Sequence, residues 1–198
     1  PAFHLGEHMF GSTPFGEQLM DKELRQGEWG IILNLLGLLL GFAVLSKIFE
    51  ESNVPEILPR YLPDDWKGPF LLLIFVFILS SFLDNIAAAL IGGTIALVVF
   101  KNKVHIGYIA ALVAASNAGG SGSVVGDTTT TMMWIDGVAA FNVLHAYVAA
   151  FVALLFFAWF ASHQQDKFQR IVSTASAEVK IDWLKLIHVI LILAGAII

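Results

Sequence analysis

Long apolar stretches separated by short charged segments dominate the chain. Residues 29–49, 69–100 and 139–161 are almost wholly apolar, and a further apolar run opens at Trp183. Each of the three long stretches could fill a hydrocarbon core about 30 Å thick, which needs roughly 20 helical residues. The segment 50–68 holds three prolines and seven charges, so it belongs outside the hydrocarbon. The pattern predicts an all-α membrane protein.

The apolar stretch 69–100 is interrupted at its centre by Asp84 and Asn85. The stretch is too long for one level crossing of a membrane and too short for two. Two helical arms of about 15 residues would each span about 22 Å. We therefore predict a re-entrant hairpin with its tip at Asp84 and Asn85. One long, tilted helix is the alternative.

The distribution of basic residues favours the hairpin. With a hairpin, the loops 50–68, 101–105 and 162–182 share one side, which the positive-inside rule makes cytoplasmic. A straight helix would divide these basic loops between the two sides. The basic residues then predicted to be cytoplasmic are Lys47, Arg60, Lys67, Lys101, Lys103, Lys167, Arg170, Lys180 and Lys185. Lys22 and Arg25 would lie outside, at the end of an interfacial segment 1–28.

A second interruption falls within residues 106–138. The helical run IGYIAALVAAS is followed by NAGGSGSVVGD, in which four glycines lie within ten residues, and TTTTMMWI then resumes. Glycine permits tight or left-handed backbone and weakens a helix interior. We predict two half-helices joined by an unwound loop, with Asn117 ending the first and Asp127 capping the second. Such backbone survives at membrane depth only where protein buries it or where it lines a wet cavity.

The two interruptions would bring oxygen-bearing side chains to one depth, where a hard cation such as Na⁺ could bind. The oxygen-bearing residues are Asp84, Asn85, Ser116, Asn117, Ser121, Ser123, Asp127 and Thr128 to Thr131. The absence of cysteine excludes disulfides and thiolate metal sites. Asp84 and Asp127 could exchange a cation for a proton as a coupled pair. Each also has a plain structural alternative: Asp84 could bond nearby N–H groups, and Asp127 could act as a helix cap alone.

Composition agrees with a membrane location. Apolar residues make up 57% of the 198 positions and charged residues 14%, whereas soluble domains carry about 25% charged residues. Asn117 either coordinates an ion or accepts a left-handed conformation. Asp136 is expected to be a solvated acid, and His145 a packed histidine rather than a proton relay.

The two motifs together resemble a known family. The pairing of SSFLDNIAAALI with SNAGGSGSVVGDTTTTMMWID is similar to the signature of NhaD-type Na⁺/H⁺ antiporters. These belong to the ion transporter superfamily, which includes citrate, dicarboxylate and arsenite carriers, and the resemblance covers residues 67–161. It implies half of an inverted-repeat fold, in which each half contributes a re-entrant hairpin and a discontinuous helix. It also implies an ion site formed by Asp84, Asn85, Ser116, Asn117, Gly119, Gly120, Asp127, Thr128 and Thr129, with Asp84, Asn85, Asn117 and Asp127 as Na⁺ ligands.

The resemblance predicts a secondary active transporter that exchanges Na⁺ for H⁺ by alternating access. No cofactor is expected, since Na⁺ and H⁺ are transported ions. The expected partners are membrane lipid, a second inverted repeat beyond Ile198 and a second copy in a homodimer, and no nucleic acid. The expected location is a bacterial inner membrane, with several crossings. We expect the chain to be a fragment, because it starts at Pro1 without methionine and stops 16 residues into an apolar run, 183–198, that would begin a further helix.

The sequence leaves three other functions open. A Na⁺- or H⁺-coupled carrier of citrate, dicarboxylate or an oxyanion would use the half-helix N-termini for the anion. Leu83-Asp84-Asn85 stands where carboxylate carriers of the superfamily tend to have Ser-Asn-Thr, which favours a cation instead. A rhomboid-like intramembrane protease could pair Ser121, in a GxSG pattern, with His145, but this leaves both aspartates unexplained. A helical subunit without a site would not need two polar breaks. We expect a protein that is not an enzyme.

Overall fold

The computed structural model describes residues 28–172 and 180–197, and throughout these ranges the regular structure is helical, without a strand. Besides a 3₁₀ turn at Leu58–Tyr61, the helices are α1 (Glu28–Glu50), α2 (Val54–Ile57), α3 (Lys67–Ser80), α4 (Asn85–Val99), α5 (Ile106–Gly120), α6 (Thr128–Ile135), α7 (Ala140–Leu144), α8 (Ala146–Phe168) and α9 (Trp183–Ile197). The predicted interfacial segment 1–28 lies, except for its last residue, outside the described residues.

The chain divides into two units, Pro1–Gly41 and Phe42–Ile198. In the first unit the structure describes residues 28–41, which are helical throughout and form the first part of α1. The helix predicted from Trp29 to about Phe49 is therefore present. All helices from α2 onward belong to the second unit.

Residues 69–100 form two packed helices rather than one long helix. α3 has 14 residues and α4 has 15, and the turn 81–84 joins them. The two run antiparallel: Gly92 of α4 lies against the Val76 side chain of α3, so that a methyl group on Gly92 would overlap it. The long-helix alternative is thus wrong for this stretch. Each arm covers about 21–22 Å, less than a hydrocarbon core of about 30 Å.

Helices α3, α4, α5 and α8 pack into a bundle. α5 runs parallel to α3, because the Tyr108 hydroxyl donates to the Pro69 carbonyl (2.7 Å) near their first turns and Ser80 donates to the Ser116 carbonyl (2.5 Å) near their last. The bundle core contains fully buried side chains that include Leu72, Leu73, Val76, Ala88, Ala115, Leu154 and Ala158. Small and branched apolar residues on every facing surface allow this close packing.

The basic loops meet at one end of this bundle. The backbone N–H of His105 donates to Gln165 Oε1 (2.7 Å), and that of Val172 donates to the Val99 carbonyl (2.9 Å). At the same end, the Trp66 ring stacks on His163 with centroids 4.7 Å apart. α8 ends at Phe168, seven residues into the predicted connector 162–182, of which residues 173–179 lie outside the described residues.

One stretch within the described residues, Ala140–Phe168, is long and apolar enough to cross a membrane as a single helix. α3, α4, α5 and Trp183–Ile192 are apolar but shorter. On α8 the large apolar side chains of Val148, Val152 and Phe156 are 71%, 64% and 69% exposed. Exposed apolar surface of this size is what a helix presents to lipid.

Candidate functional site

The hairpin turn 81–84 is attached to α5 by two serine side chains at the end of α3. The Ser80 hydroxyl, which is fully buried, donates to the Ser116 carbonyl (2.5 Å), and the Ser81 hydroxyl donates to the Gly119 carbonyl (3.1 Å). Both acceptors lie in the last two turns of α5, and the Gly119 carbonyl is one of the last four, which have no partner within the helix. The end of α3 therefore lies at the same level as the end of α5.

Asp84 caps the second arm of the hairpin. Its Oδ2 accepts the backbone N–H of Ile86 (3.1 Å), two residues into α4. A carboxylate in this position satisfies an N–H group that the helix leaves free and interacts favourably with the helix dipole. The capping role considered for Asp84 is thus present, and its predicted role as a cation ligand stays a prediction.

Asp127 caps α6 after an irregular loop of residues 121–127. Its Oδ1 accepts the backbone N–H of Thr129 (2.9 Å) and the hydroxyls of Thr129 (3.0 Å) and Thr128 (3.4 Å). The hydroxyls of the next two threonines donate instead to backbone carbonyls of the loop. Thr130 donates to the Ser123 carbonyl (2.6 Å) and Thr131 to the Val124 carbonyl (2.7 Å). The threonine run therefore both orients the Asp127 carboxylate and supports the loop.

The two interruptions meet at one side chain, Asn85. Its Nδ2 donates to Asn117 Oδ1 (3.0 Å), and Asp127 Oδ2, at 3.4 Å, is a second acceptor for the same group. We call Asn85, Asn117 and Asp127 the junction. Asn85 and Asp127 are half-buried and Asn117 is exposed, so the junction is accessible from outside the chain. The sequence-based prediction that both interruptions reach one depth agrees with this contact.

The glycines near the loop allow close approach to the backbone of α3, and they do not adopt left-handed backbone. A methyl group on Gly119 would overlap the Phe77 carbonyl oxygen, and one on Gly126 would overlap the Ser80 carbonyl oxygen. Among glycines of the described residues only Gly137 has a positive φ. Gly120 lies close to the Gly126 carbonyl oxygen across the loop. The tight packing of the end of α5 and of the loop on the hairpin requires residues without a side chain at these positions.

Two predictions about the end of α5 need correction. Asn117 does not end this half-helix: α5 continues to Gly120, and Asn117 adopts no left-handed conformation. The reason is that the Asn117 Nδ2 donates to the Val113 carbonyl one turn earlier (2.9 Å), which is compatible with helical backbone. Ser116 is buried, and its hydroxyl donates to the Val113 carbonyl (3.0 Å). Ser116 thus contributes its backbone carbonyl to the attachment of Ser80, and its side chain faces its own helix.

The structure does not bring Ser121 and His145 together as a dyad. The Ser121 hydroxyl donates to the Ala118 carbonyl (2.8 Å). His145 is exposed, its Nδ1 lies 3.3 Å from the Asn142 carbonyl, and its ring contacts Phe141. The predicted packed histidine is thus an exposed residue whose ring contact is local. Asp136 is exposed at the end of α6, in agreement with a solvated acid.

The chemistry available at the junction is that of oxygen acceptors and helix N-termini. Asp84 and Asp127 carry the negative charge of the two interruptions, and residues 81–84 and 121–127 contain no lysine or arginine. Within the described residues, no group of three or more histidine and acidic side chains could hold a metal ion. A cation at the junction would therefore depend on carboxylate, amide and backbone oxygens, which suit a hard monovalent ion better than a transition metal.

Two serines at the end of α3, Ser80 and the capping Ser81, are not among the site residues predicted from the sequence. They follow an uninterrupted apolar run, and a pair of hydroxyls just before a predicted helix break is the signal that could identify them. Their partners are backbone carbonyls more than 30 residues away. No local pattern identifies such distant acceptors.

Comparison with known proteins agrees with the helical, membrane-type architecture. A protein-family model for citrate transporters matches residues 19–198. Searches of curated proteins and of solved structures gave no match. The match supports the predicted ion transporter superfamily and excludes the protease alternative, since the family consists of transporters rather than enzymes. The chain belongs to the citrate transporter family and is a membrane protein of the secondary transporter class.

Proposed function

We propose that this transporter exchanges Na⁺ for H⁺ at the junction. The observation that carries the proposal is the contact of the hairpin-tip amide of Asn85 with both Asn117 and Asp127 of the discontinuous helix. A cation site formed by broken helices requires two interruptions that bring oxygen acceptors to the same place. A carboxylate can hold either a proton or a cation, so alternation between the two drives exchange.

Asn85 suits this exchange because an amide side chain carries both a donor and an acceptor. In the structure its NH₂ group points at two oxygens, Asn117 Oδ1 and Asp127 Oδ2. A half-turn of the amide would present Oδ1 to the same place and add a third oxygen for a bound ion. Asn85 would then stabilise the ion-free site with its donor and the occupied site with its acceptor.

Charge favours a cation over an anion as the principal substrate. The two aspartates at the interruptions are not balanced by a basic residue within 81–84 or 121–127. An anion would meet two carboxylates and could be held only by helix N-termini and a co-bound cation. The hairpin tip also favours a cation, because it has Leu83-Asp84-Asn85 where carboxylate carriers of the superfamily tend to have Ser-Asn-Thr.

The membrane arrangement that supports this function is a re-entrant hairpin. The arms α3 and α4 are too short to cross a hydrocarbon core of about 30 Å, and their far ends meet the basic loops at one end of the bundle. We propose that this end is cytoplasmic and that the hairpin enters from it. A second, inverted repeat would supply the opposite wall of the site, in a bacterial inner membrane.

The test is Na⁺-dependent proton movement in everted vesicles that carry the full-length protein, recorded with a pH-sensitive dye. We expect dequenching on addition of NaCl, its loss in Asp127→Asn and a smaller reduction in Asp84→Asn. Asp136→Asn is the matched control, because Asp136 is an exposed aspartate at the end of α6. A well-expressed wild type without a response to Na⁺, Li⁺ or K⁺ would refute the exchange.

A second candidate is cation-coupled uptake of citrate or another carboxylate. The family match to citrate transporters favours it, as do the N-termini of α4 and α6, which both begin at the interruptions. Helix N-termini attract anions. Uptake of labelled citrate by the same vesicles distinguishes the candidates, since an antiporter would move Na⁺ and H⁺ without citrate.

A further inference from the structure

A cavity of about 590 Å³ lies at the end of the bundle that carries the basic loops, away from the junction. Its walls come from the end of α1, the segment 53–59, the second half of α4 and the start of α9, all within the second unit. Sites for small molecules occupy about 300–1,000 Å³. The cavity is therefore large enough for a ligand.

Direct contacts hold these walls together. The Lys185 ammonium donates to the Glu51 carboxylate (3.0 Å), and the backbone N–H of Asp182 donates to the Ser52 carbonyl (3.0 Å). Both bonds attach the start of α9 to the end of α1. α2 packs on α4 on the other side. The cavity is thus enclosed by elements that contact one another.

The polar part of the cavity carries both signs of charge. Two ammonium groups, Lys47 and Lys185, and three carboxylates, Glu50, Glu51 and Glu56, line it. Lys47 donates to Glu50 (3.3 Å) and Lys185 to Glu51 (3.0 Å), so each ammonium has further N–H donors to offer. A simple anion would meet the carboxylates, and a simple cation would meet the lysines. A ligand with one group of each sign matches this lining.

The other part of the cavity is apolar and continues outward along α4. Thr94 and Val98 line the cavity, and with Ile86 and Leu90 they form one ridge of residues four positions apart. All four side chains are exposed. The ridge from residue 86 to residue 98 is about 18 Å long, and the hydrocarbon of one leaflet is about 15 Å thick. The ridge therefore suits one acyl chain.

The depth of the cavity agrees with a lipid headgroup. With the hairpin tip at mid-membrane, as the proposed re-entrant arrangement requires, residues 91–98 lie about 10–21 Å from the midplane along α4. The hydrocarbon ends at about 15 Å and the headgroups at about 20–22 Å. Trp183, the exposed first residue of α9, is of the type found in the headgroup zone.

We propose that the cavity binds a phospholipid whose headgroup contains a phosphate and a primary ammonium, as in phosphatidylethanolamine. Lys47 and Lys185 donate to the phosphate, Glu56 and its neighbouring carboxylates accept from the ammonium, and one acyl chain lies along the ridge of α4. The proposal uses the membrane arrangement of the proposed function and is independent of which substrate is transported.

The first test is lipid binding to the detergent-solubilised full-length protein, followed by native mass spectrometry. Phosphatidylethanolamine, phosphatidylcholine and phosphatidylglycerol with identical acyl chains are compared. We expect phosphatidylethanolamine to bind about two- to fivefold more tightly than phosphatidylcholine, the range for an exposed ion pair, because the choline nitrogen has no N–H to donate. Phosphatidylglycerol should bind less tightly than phosphatidylethanolamine, since it has no cationic group. Equal binding of all three lipids, or tightest binding of phosphatidylglycerol, would overturn the proposal.

Charge variants test the two parts of the headgroup separately. Lys47→Gln should weaken phosphatidylethanolamine binding about fivefold, the scale for one lysine beside lipid phosphate. Glu56→Gln should reduce the preference over phosphatidylcholine. Lys103→Gln and Asp64→Asn are the matched controls, because both residues are exposed in loops and do not line the cavity. If the controls weaken binding as much, the attraction is diffuse and there is no specific site.

Thr94→Trp tests the cavity without a change of charge. The larger side chain should fill the space and abolish saturable binding, while Thr94→Ala should retain it. Wild-type affinity in a folded Thr94→Trp protein would contradict the site. Soluble glycerophosphoethanolamine should compete only weakly, because it lacks acyl chains; competition as strong as that of the lipid would overturn the lipid assignment.

The binding measurement and the transport measurement fail independently. A protein that binds phosphatidylethanolamine at the cavity without exchanging Na⁺ for H⁺ contradicts the proposed function alone. A protein that exchanges the ions but binds no lipid saturably contradicts the lipid site alone. Native mass spectra and vesicle rates recorded on the same preparation distinguish the two outcomes.

Discussion

The two interruptions begin a helix in the same way but differ in what their aspartates do. Asp84, at the hairpin tip, accepts a hydrogen bond from the backbone N–H of Ile86. Asp127, after the loop, uses Oδ1 for the cap and two threonine hydroxyls, and directs Oδ2 at Asn85 of the other interruption. Two aspartates that look equivalent in the sequence thus occupy different positions, and Asp127 is the one that belongs to the junction.

The two interruptions are also supported differently. The hairpin turn has four residues and depends on serine hydroxyls that reach the carbonyls of α5. The loop of seven residues depends on threonine hydroxyls of the following helix and on glycines that let it approach the hairpin. Ordering more residues costs more conformational entropy, so the longer loop needs stabilising contacts at more points than the short turn does.

The largest expected effect is on transport by Asp127→Asn. Asparagine caps a helix about as well as aspartate, so folding should survive, while the charge at the junction is lost. We expect transport to fall by at least about 100-fold, the scale for removal of one preorganised polar group from an active site, and by less in Asp84→Asn. Initial rates in vesicles at matched expression check this order. Equal losses in both variants would show that the two aspartates act as one pair.

A second prediction concerns the contact of the loop region with the hairpin. Gly119→Ala places a methyl group against the Phe77 carbonyl oxygen, so α3 or α5 must move, at a cost of about 1–3 kcal/mol. Gly93→Ala is the control, since a methyl group there meets open space and should be neutral or stabilising by about 1 kcal/mol. Thermal unfolding of the detergent-solubilised protein measures both. Equal midpoints would mean that the close approach is not required.

A third, smaller effect is expected from the threonine support of the loop. Thr131→Val removes the buried hydroxyl that donates to the Val124 carbonyl (2.7 Å) and should cost about 1–2 kcal/mol, the range for a buried acceptor left without a partner. Thr94→Val is the control, because Thr94 is exposed and its hydroxyl bonds within its own helix, to Leu90 (2.9 Å). The free energy of unfolding in denaturant should fall in the first variant and barely change in the second.

The smallest effect is expected at a contact away from both interruptions, between Glu51 and Lys185 (3.0 Å). The hydrogen bond from Lys185 and its positive charge hold the pKa of the Glu51 carboxyl below its usual value of 4.5. Because the folded-state pKa is the lower one, the contact contributes stability above about pH 4.5 and loses it as the pH falls further. The thermal midpoint of wild type should therefore approach that of Glu51→Gln on acidification. A constant difference between pH 6 and pH 3.5 would contradict this.

Both interruptions were predictable from the sequence, because their signals are local. Asp84 and Asn85 lie in the middle of an apolar run, and a polar pair is costly there unless the helix breaks. The boundary of α5 was less predictable. Its last turn contains Gly119 and Gly120, which have low helix propensity, yet they remain helical because the hairpin packs on this turn.

The sequence by itself determined the helical membrane class, the hairpin, the discontinuous helix and their aspartate caps, since each depends on hydrophobic length or on neighbours within a few residues. Only the tertiary structure decided which aspartate reaches Asn85, why Gly119 and Gly126 are needed and that Ser80 and Ser81 attach the hairpin to α5. These contacts join residues 36 to 46 positions apart, and their partners are often backbone carbonyls, which every residue carries. A sequence pattern cannot distinguish one carbonyl from another; the packing of the helices does.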